Sequence, residues 1–184
     1  YFGQFVDHDI TLEVQDFPQP VEGSVTTLLE PTMKPADLSV LRNAMRNFRT
    51  GTLDLDNLYG LPASHDTANP HKMAIGHVSA LNATTKPLLR PPGKGDDNDL
   101  PREPPSADRA HDRAALIGDP RNDENTIVSQ LHLAFLKAHN ALVDEGRSRV
   151  EAERVLRQHY QHLVVHDFLK RVADPAVVDD IVTN

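Results

Sequence analysis

The 184-residue sequence contains no cysteine, which excludes disulfide bonds, thiolate metal sites and a cysteine nucleophile. Basic residues are also scarce, with 19 Lys and Arg against 27 Asp and Glu and a formal net charge of -8. An acidic surface repels the phosphate backbone of nucleic acids and anionic lipid head groups. We therefore expect no nucleic-acid partner for this chain.

Long apolar runs are absent as well. No stretch of about 18 apolar residues could span a bilayer, and no basic segment followed by an apolar one would form a leader peptide. The first residue is Tyr1 rather than methionine, and a dense motif begins there. We expect the natural N-terminus to lie upstream of Tyr1, so the missing leader says little about localisation.

The hydrophobic pattern predicts a mainly α fold with little or no β structure. Apolar residues recur at helical spacing, without the alternation of strands and crossover helices that a parallel sheet needs. Helices are predicted over residues 2–12, 38–48, 127–142 and 150–172, the last ending near Pro175.

Two segments rich in proline separate these helices. Residues 13–37 are expected to form a connecting loop, and residues 86–112 a long surface excursion. Between Gly51 and Gly60, alternating Thr, Leu and Asp predict an irregular loop whose polar side chains converge.

The two C-terminal helices each have an apolar face, and Gly146 supplies a natural stop between them. The first face carries Ile127, Leu131, Ala134, Phe135, Ala138 and Leu142, and the second carries Val155, Leu156, Leu163, Val164, Phe168 and Leu169.

The opening stretch YFGQFVDHDI places an amide, an imidazole and two carboxylates on one short helix. Because each helical residue turns by about 100°, Gln4 and His8 share a face with Asp7 beside them, and Asp9 is rotated away. His8 is either a proton-transfer group or an ordinary solvent-facing histidine between two acids. The tripeptide alone favours the ordinary histidine.

A second acidic group contains Thr50, Thr52, Asp54 and Asp56, which offer hard oxygen ligands suited to Ca²⁺. It is not an EF-hand loop, because Tyr59 stands at the position of the turn glycine and no glutamate closes the loop. The alternative interpretation is a solvated acidic turn.

Three histidines, His159, His162 and His166, share one face of the last predicted helix. A pair four residues apart could bind zinc, but their apolar neighbours favour packing in the core or between helices. The motifs of zinc proteases, serine hydrolases and P-loop proteins do not occur.

Several separate motifs, taken in order, resemble those of the animal-type haem peroxidases, and the lack of cysteine favours a bacterial-type member. They are GQFVDHDIT, LDLDNLYG and GDPRNDEN, followed by HLAFLKAHNALVDE and QHYQHLVVHDFL. The resemblance implies that residues 1–184 are part of a larger helical domain. It also implies that the proximal histidine of the haem iron lies downstream of Asn184.

The resemblance also implies roles for individual residues. His8 matches the distal histidine, which moves a proton between the oxygens of H₂O₂. Arg121 matches the distal arginine, which stabilises developing negative charge, and Gln4 matches the distal glutamine. Asp7 and Glu124 match the carboxylates that form ester bonds to haem b in some members. Asn125 stands where a methionine makes a further haem link in one member, so that link is not expected.

For the metal, Asp9 resembles the carboxylate ligand of a structural Ca²⁺, completed by Thr50, Thr52, Asp54 and Asp56. The ion would then hold the helix of His8 against the loop.

The implied activity is reduction of H₂O₂ with oxidation of halides or small organic donors, in a secreted or extracellular protein. Two alternatives stay open, a fatty-acid dioxygenase of the same superfamily and a non-catalytic calcium-binding helical module. Nothing in the sequence indicates an oligomeric state.

Overall fold

The computed structural model describes residues 1–12, 47, 49–61, 63–77 and 98–183. Within these ranges the chain is mainly helical and forms no sheet, only isolated β-bridges, so the prediction of a mainly α fold is confirmed. A 3-10 turn, Pro120–Asp123, precedes the helix that begins at Thr126, and a π-helical segment, Val164–Phe168, joins the helix that ends at Leu163 to the one that begins at Leu169. The helices are α1 (Phe2–Ile10), α2 (Asp56–Tyr59), α3 (Thr126–Asp144), α4 (Arg149–Leu163), α5 (Leu169–Val172) and α6 (Pro175–Thr183).

Three aromatic rings hold α1, α3 and α4 together at the centre of the core. Phe5 of α1 stacks on Phe135 of α3 with ring centroids 4.8 Å apart. Tyr160 of α4 meets both rings edge-on, at 6.1 and 5.8 Å. Such aromatic contacts add about 0.5–1.5 kcal/mol each beyond the buried area. The N-terminal helix is therefore fixed against the C-terminal helices.

The start and end of α3 follow from local signals. The Asn125 side chain accepts a hydrogen bond from the amide of Val128 at 3.0 Å and caps the first turn. Gly146 follows the helix with a φ of 95°, a left-handed conformation that glycine adopts without steric cost. The predicted helix and its stop at Gly146 are confirmed.

The buried face of α3 differs from its predicted apolar face. Ile127 is 52% exposed and Ala134 is also exposed, while His132 and His139 are fully buried beside the aliphatic core residues. Both imidazoles have hydrogen-bond partners, which lowers the cost of burying them. The buried face of α3 is consequently rotated about the helix axis relative to the face predicted from the apolar residues alone.

The helix predicted over residues 150–172 is present, but its middle widens into the π-helical segment. This segment directs Phe168 onto α1, where its ring lies 5.0 Å from that of Phe2. A Cβ atom on Gly3 would come within 3.1 Å of the Phe168 ring. The helix ends at Val172, after which Ala173 is extended, so the predicted end near Pro175 is confirmed. A further helix, α6, begins with Pro175, whose fixed φ suits a first helical turn.

Some predictions fall on residues that the structure leaves undescribed. The loop over residues 13–37, nearly all of the helix over 38–48 and the first part of the 86–112 excursion lie outside the described ranges. The rest of that excursion, from residue 98, has no helix, and residues 104–112 are exposed. The loop predicted between Gly51 and Gly60 is irregular at first but ends in α2, a correction to that prediction. No helix among the described residues is both long and apolar enough to cross a membrane.

Candidate functional site

Two consecutive residues of α1, His8 and Asp9, face different neighbours, and both are buried. His8, 5% exposed, hydrogen-bonds through Nδ1 to Oδ1 of Asn122 in the 3-10 turn, at 2.7 Å. Asp9, 0% exposed, accepts a hydrogen bond from the backbone amide of Asp56 in the acidic loop. The helical rotation of about 100° per residue thus assigns His8 and Asp9 to different neighbourhoods.

The two nitrogens of His8 differ in their surroundings. An amide oxygen only accepts, so with Oδ1 of Asn122 facing it, Nδ1 of His8 is the nitrogen placed to donate. Nε2 makes no hydrogen bond to the described residues, yet it is not among their buried unpaired atoms. The arrangement leaves Nε2 as an accessible proton acceptor.

The other residues predicted on this side of α1 gather around His8. Gln4 donates a hydrogen bond from Nε2 to Oε1 of Glu124. Nη2 of Arg121 donates to the backbone oxygen of His8 at 3.4 Å and to that of Thr11. The structure thereby brings Gln4, His8, Arg121 and Glu124 together, and the Asp7 carboxylate lies close enough to interact with Arg121.

Arg121 is oriented by a buried carboxylate that was not singled out from the sequence. Asp119 accepts hydrogen bonds from Nε and Nη2 of Arg121, at 3.0 and 2.7 Å. This pairing with Asp119, together with the charges of Asp7 and Glu124, raises the pKa of Arg121. Arg121 is therefore a permanent cation held in a defined orientation.

Asp119 also binds Arg49, which precedes the acidic loop. Nη2 of Arg49 donates to Oδ2 of Asp119 and to the backbone oxygen of Gly118, both at 2.9 Å. Nη1 of Arg49 donates to the backbone oxygen of Asp56 at 3.1 Å. Burial raises the pKa of Asp119, but the hydrogen bonds from both arginines outweigh it and keep that pKa below its usual value. Arg49 thus connects the acidic loop to the turn that carries Arg121.

The four residues predicted as loop ligands lie together. Thr50 Oγ1 is 3.2 Å from Oδ2 of Asp54 and 3.1 Å from Oδ2 of Asp56. Thr52 Oγ1 lies 2.9 Å from Thr50 Oγ1 and also contacts Oδ2 of Asp54. Leu55, between the two acids, has a φ of 58°, a conformation that costs a non-glycine residue energy and occurs where surrounding structure demands it.

Asp9 faces this loop with one oxygen unpaired. Its Oδ2 is buried and makes no hydrogen bond of ordinary geometry to the described residues, although the equally buried hydroxyl of Tyr160 lies close enough to stabilise the Asp9 carboxylate. A buried carboxylate oxygen left in this state is uncommon in folded proteins and suits a cation ligand. Burial raises the pKa of Asp9, although the amides of Leu55 and Asp56 oppose that shift. Among the described residues, no three Asp, Glu or His side chains are grouped as a metal site by themselves. Hydroxyl and carbonyl oxygens would have to complete a calcium shell here.

Helix α4 supports the loop from its other side. Arg157 donates from Nε to the backbone oxygen of Asp54 at 2.7 Å, and Gln161 donates to that of Leu53 at 3.1 Å. The guanidinium of Arg157 also lies 5.0 Å from the ring centroid of Tyr59. These contacts fix the loop backbone without using its carboxylates.

The three histidines of the last helical region are exposed, so the prediction that they pack in the core or between helices is wrong for the described part of the chain. His159 donates from Nδ1 to the backbone oxygen of Val155, one turn earlier, at 2.8 Å. The rings of His162 and His166 lie 4.5 Å apart. Within the described residues these side chains form no metal cluster.

Two buried residues near His8 were also missed by the sequence reasoning. Asn122 lies inside the motif GDPRNDEN, and its Nδ2 is 2.9 Å from Nδ1 of His132 in α3. The sequence did contain a sign that His132 is buried. It stands four residues before Leu136, so the two side chains share a helix face, and that face is buried.

Comparison with known proteins gives one informative likeness. No family model matches the chain. A curated protein described as "Peroxidase-like protein", from Margaritifera margaritifera, is 25% identical over 205 residues, covering 95% of this chain and 26% of that protein. The chain is thus similar to a peroxidase-like protein and spans about a quarter of its length.

Proposed function

We propose that residues 1–184 contribute the distal side of a haem-dependent peroxidase of the animal type, in a bacterial-type member, that reduces H₂O₂ and oxidises halides or small organic donors. The observation that carries the proposal is His8, with Nδ1 bonded to Asn122 and Nε2 accessible, beside the oriented cation of Arg121. Similarity to a peroxidase-like protein supports the same reaction class.

The residues around His8 suit haem b as a group. Gln4 and His8 offer an amide and an imidazole from one side of α1, and Arg121 adds a positive charge. Asp7 and Glu124 are exposed carboxylates at the edge of this group, where ester bonds to haem methyl groups would form. When bound, haem supplies an iron that exchanges electrons with peroxide and with the donor.

The protein's own part is proton transfer and charge stabilisation. Nε2 of His8 accepts a proton from one oxygen of H₂O₂ and returns it to the other, which leaves as water. Nη1 of Arg121 makes no hydrogen bond to the described residues and is available to the developing negative charge. Because Asp119 holds the guanidinium, little reorganisation is needed when that charge appears.

The acidic loop supports a second part of the proposal, a structural Ca²⁺ bound by Asp9, Thr50, Thr52, Asp54 and Asp56. These side chains supply the hard oxygens that Ca²⁺ prefers. Oδ2 of Asp9 is buried, and the nearby Tyr160 hydroxyl makes no hydrogen bond of ordinary geometry with it. The ion would reinforce the hydrogen bond by which Asp9 already joins α1 to the loop.

Stopped-flow spectroscopy of the intact haem-loaded protein tests the catalytic proposal. His8→Ala should slow the peroxide-dependent change of the haem spectrum by about 10²-fold or more, the usual effect of losing a positioned general base. His159→Ala, which removes an exposed imidazole on α4, is the matched control and should leave the rate unchanged.

Equal rates for His8→Ala and the wild type would contradict the proposal. Bromide oxidation with H₂O₂, compared with oxygen uptake in the presence of an unsaturated fatty acid, separates the peroxidase from a dioxygenase. A protein that binds Ca²⁺ and shows neither activity would instead be a calcium-binding helical module.

A further inference from the structure

Asn122 connects His8 to a second buried histidine. Its Oδ1 lies 2.7 Å from Nδ1 of His8, and its Nδ2 lies 2.9 Å from Nδ1 of His132. Asn122 and His132 are both 0% exposed. The 3-10 turn holds the Asn122 backbone, whose amide donates to the oxygen of Asp119 at 3.1 Å. One buried side-chain amide therefore spans two imidazoles.

The protonation of His132 decides which way this amide faces. Burial lowers the pKa of His132 to about 3, so its imidazole is neutral at ordinary pH. A neutral imidazole has one nitrogen without a proton, and Nδ1 of His132 is the atom that receives the amide NH₂ of Asn122. The amide oxygen is then left for His8.

We infer that Asn122 and His132 are positioning residues that hold His8 as the tautomer protonated on Nδ1, with the lone pair on Nε2. The consequence for peroxide chemistry rests on the proposed function, but the tautomer itself does not. If the amide were turned over, its NH₂ would face Nδ1 of His8, and the proton of His8 would move to Nε2. His8 could then no longer accept a proton at its accessible nitrogen.

Within the described part of the chain, Asn122 supplies the one hydrogen bond of the His132 side chain, and the Phe5 ring packs edge-on against its imidazole at 6.1 Å. Its Nε2 is buried without a hydrogen-bond partner among the described residues. Buried polar atoms are rarely left unpaired in folded proteins, so each one calls for an explanation. The bond from Asn122 uses Nδ1 of His132 and leaves Nε2 as the nitrogen that carries the proton of the neutral ring.

Nitrogen-15 NMR of the intact protein, labelled at histidine and kept at mildly alkaline pH, measures the tautomers directly. The expected result is a proton on Nδ1 of His8 and on Nε2 of His132. A proton on Nε2 of His8 in the wild-type protein would overturn the inference, and this measurement needs no variant and no haem.

Substitutions then test whether the two residues cause this state. Asn122→Leu and His132→Leu should each shift the tautomer ratio of His8 toward the Nε2-protonated form by about tenfold, the effect of losing one hydrogen bond. His132→Asn leaves an acceptor near the position of Nδ1 and should restore the wild-type ratio. Asn140→Leu is the control, since within the described ranges the Asn140 side chain bonds to the backbone of Met73 and not to either histidine.

An unchanged His8 tautomer in both folded leucine variants would overturn the inference, as would an equal shift in Asn140→Leu. Failure of the proposed function is distinguishable from failure of this inference. A His8 protonated on Nδ1 in a protein that does not react with H₂O₂ would contradict the peroxidase proposal alone.

Discussion

Replacing Asp119 with asparagine should destabilise the protein while preserving its shape. The buried Asp119 carboxylate accepts hydrogen bonds from Arg49 and from the backbone and side chain of Arg121. Asparagine retains one acceptor oxygen, so the cap on the 3-10 turn can persist. What is lost is the negative charge between two guanidinium groups.

The size of the effect follows from the two ion pairs. A hydrogen bond to a charged group contributes about 1.5–3 kcal/mol to stability, against about 0.5–1.5 kcal/mol for a neutral one. Arg49, with a side chain only 10% exposed, regains little hydration, whereas Arg121, at 31%, regains more. We expect the free energy of unfolding to fall by about 2–3 kcal/mol, or the melting temperature by about 4–12 °C.

Urea denaturation followed by circular dichroism measures this loss, and Asp123→Asn provides the matched control. Asp123 ends the same turn and also pairs with an arginine, Arg102, at 2.7 and 2.8 Å, but its side chain is 26% exposed. Its replacement should cost about 1 kcal/mol or less. Equal losses in the two variants would refute the assignment of Asp119 as a buried anchor.

The pH dependence of the Asp119→Asn effect provides a further check. Because the pKa of Asp119 is lower in the folded protein than its unfolded value of about 3.9, its contribution is present above that value. It is lost as the pH falls through the folded pKa. The difference in unfolding free energy between wild type and variant should therefore be constant near neutral pH and shrink below about pH 4.

Three further outcomes are expected. Because Ca²⁺ that binds only the folded state stabilises it by mass action, its addition should raise the melting temperature of the wild type. The rise should be much smaller in Asp54→Asn. An equal rise in both proteins would exclude Asp54 as a ligand. Since burial lowers the pKa of His132 to about 3, wild-type stability should fall as the pH drops below about 6.5, and urea titrations should find a smaller fall in His132→Asn. Ser148→Ala, which removes the capping box with Glu151 at the start of α4, should cost about 1 kcal/mol in the same titration, and Ser148→Thr much less.

Local features of the fold were predictable from the sequence because they depend on neighbouring residues. The spacing of Phe2, Phe5 and Val6 predicts α1 to within two residues of its observed end. Gly146 ends α3 because the left-handed backbone there suits glycine, and that signal is also local.

The buried face of α3 and the π-helical segment were not predictable in the same way. Counting apolar residues misses a helix face on which His132 and His139 are buried, because their burial depends on partners elsewhere in the fold. The widening at Val164–Phe168 accompanies the packing of Phe168 against Phe2, a contact between distant parts of the chain.

For the candidate site, the sequence motifs named residues that the structure brings together around α1, and their catalytic roles stay predictions. The supporting residues were missed because their partners are remote. His8 and Asn122 are 114 positions apart, and Arg49 and Asp119 are 70 apart. A single sequence carries no periodic signal for such pairs, and only the folded chain identifies them.

His8 and Asp9 are consecutive in α1 but bond to different parts of the fold, which limits the insertions and deletions that this helix can accept. A single residue inserted between His8 and Asp9 would turn the preceding part of the helix by about 100° and shift it by about 1.5 Å relative to Asp9 and the acidic loop. Asp9 could then keep its bond to the amide of Asp56, or His8 its bond to Asn122, but not both. Exposed positions such as Asp7 can change identity without affecting the register of the helix. We therefore expect related chains to vary in the residues of this segment and to keep its length constant.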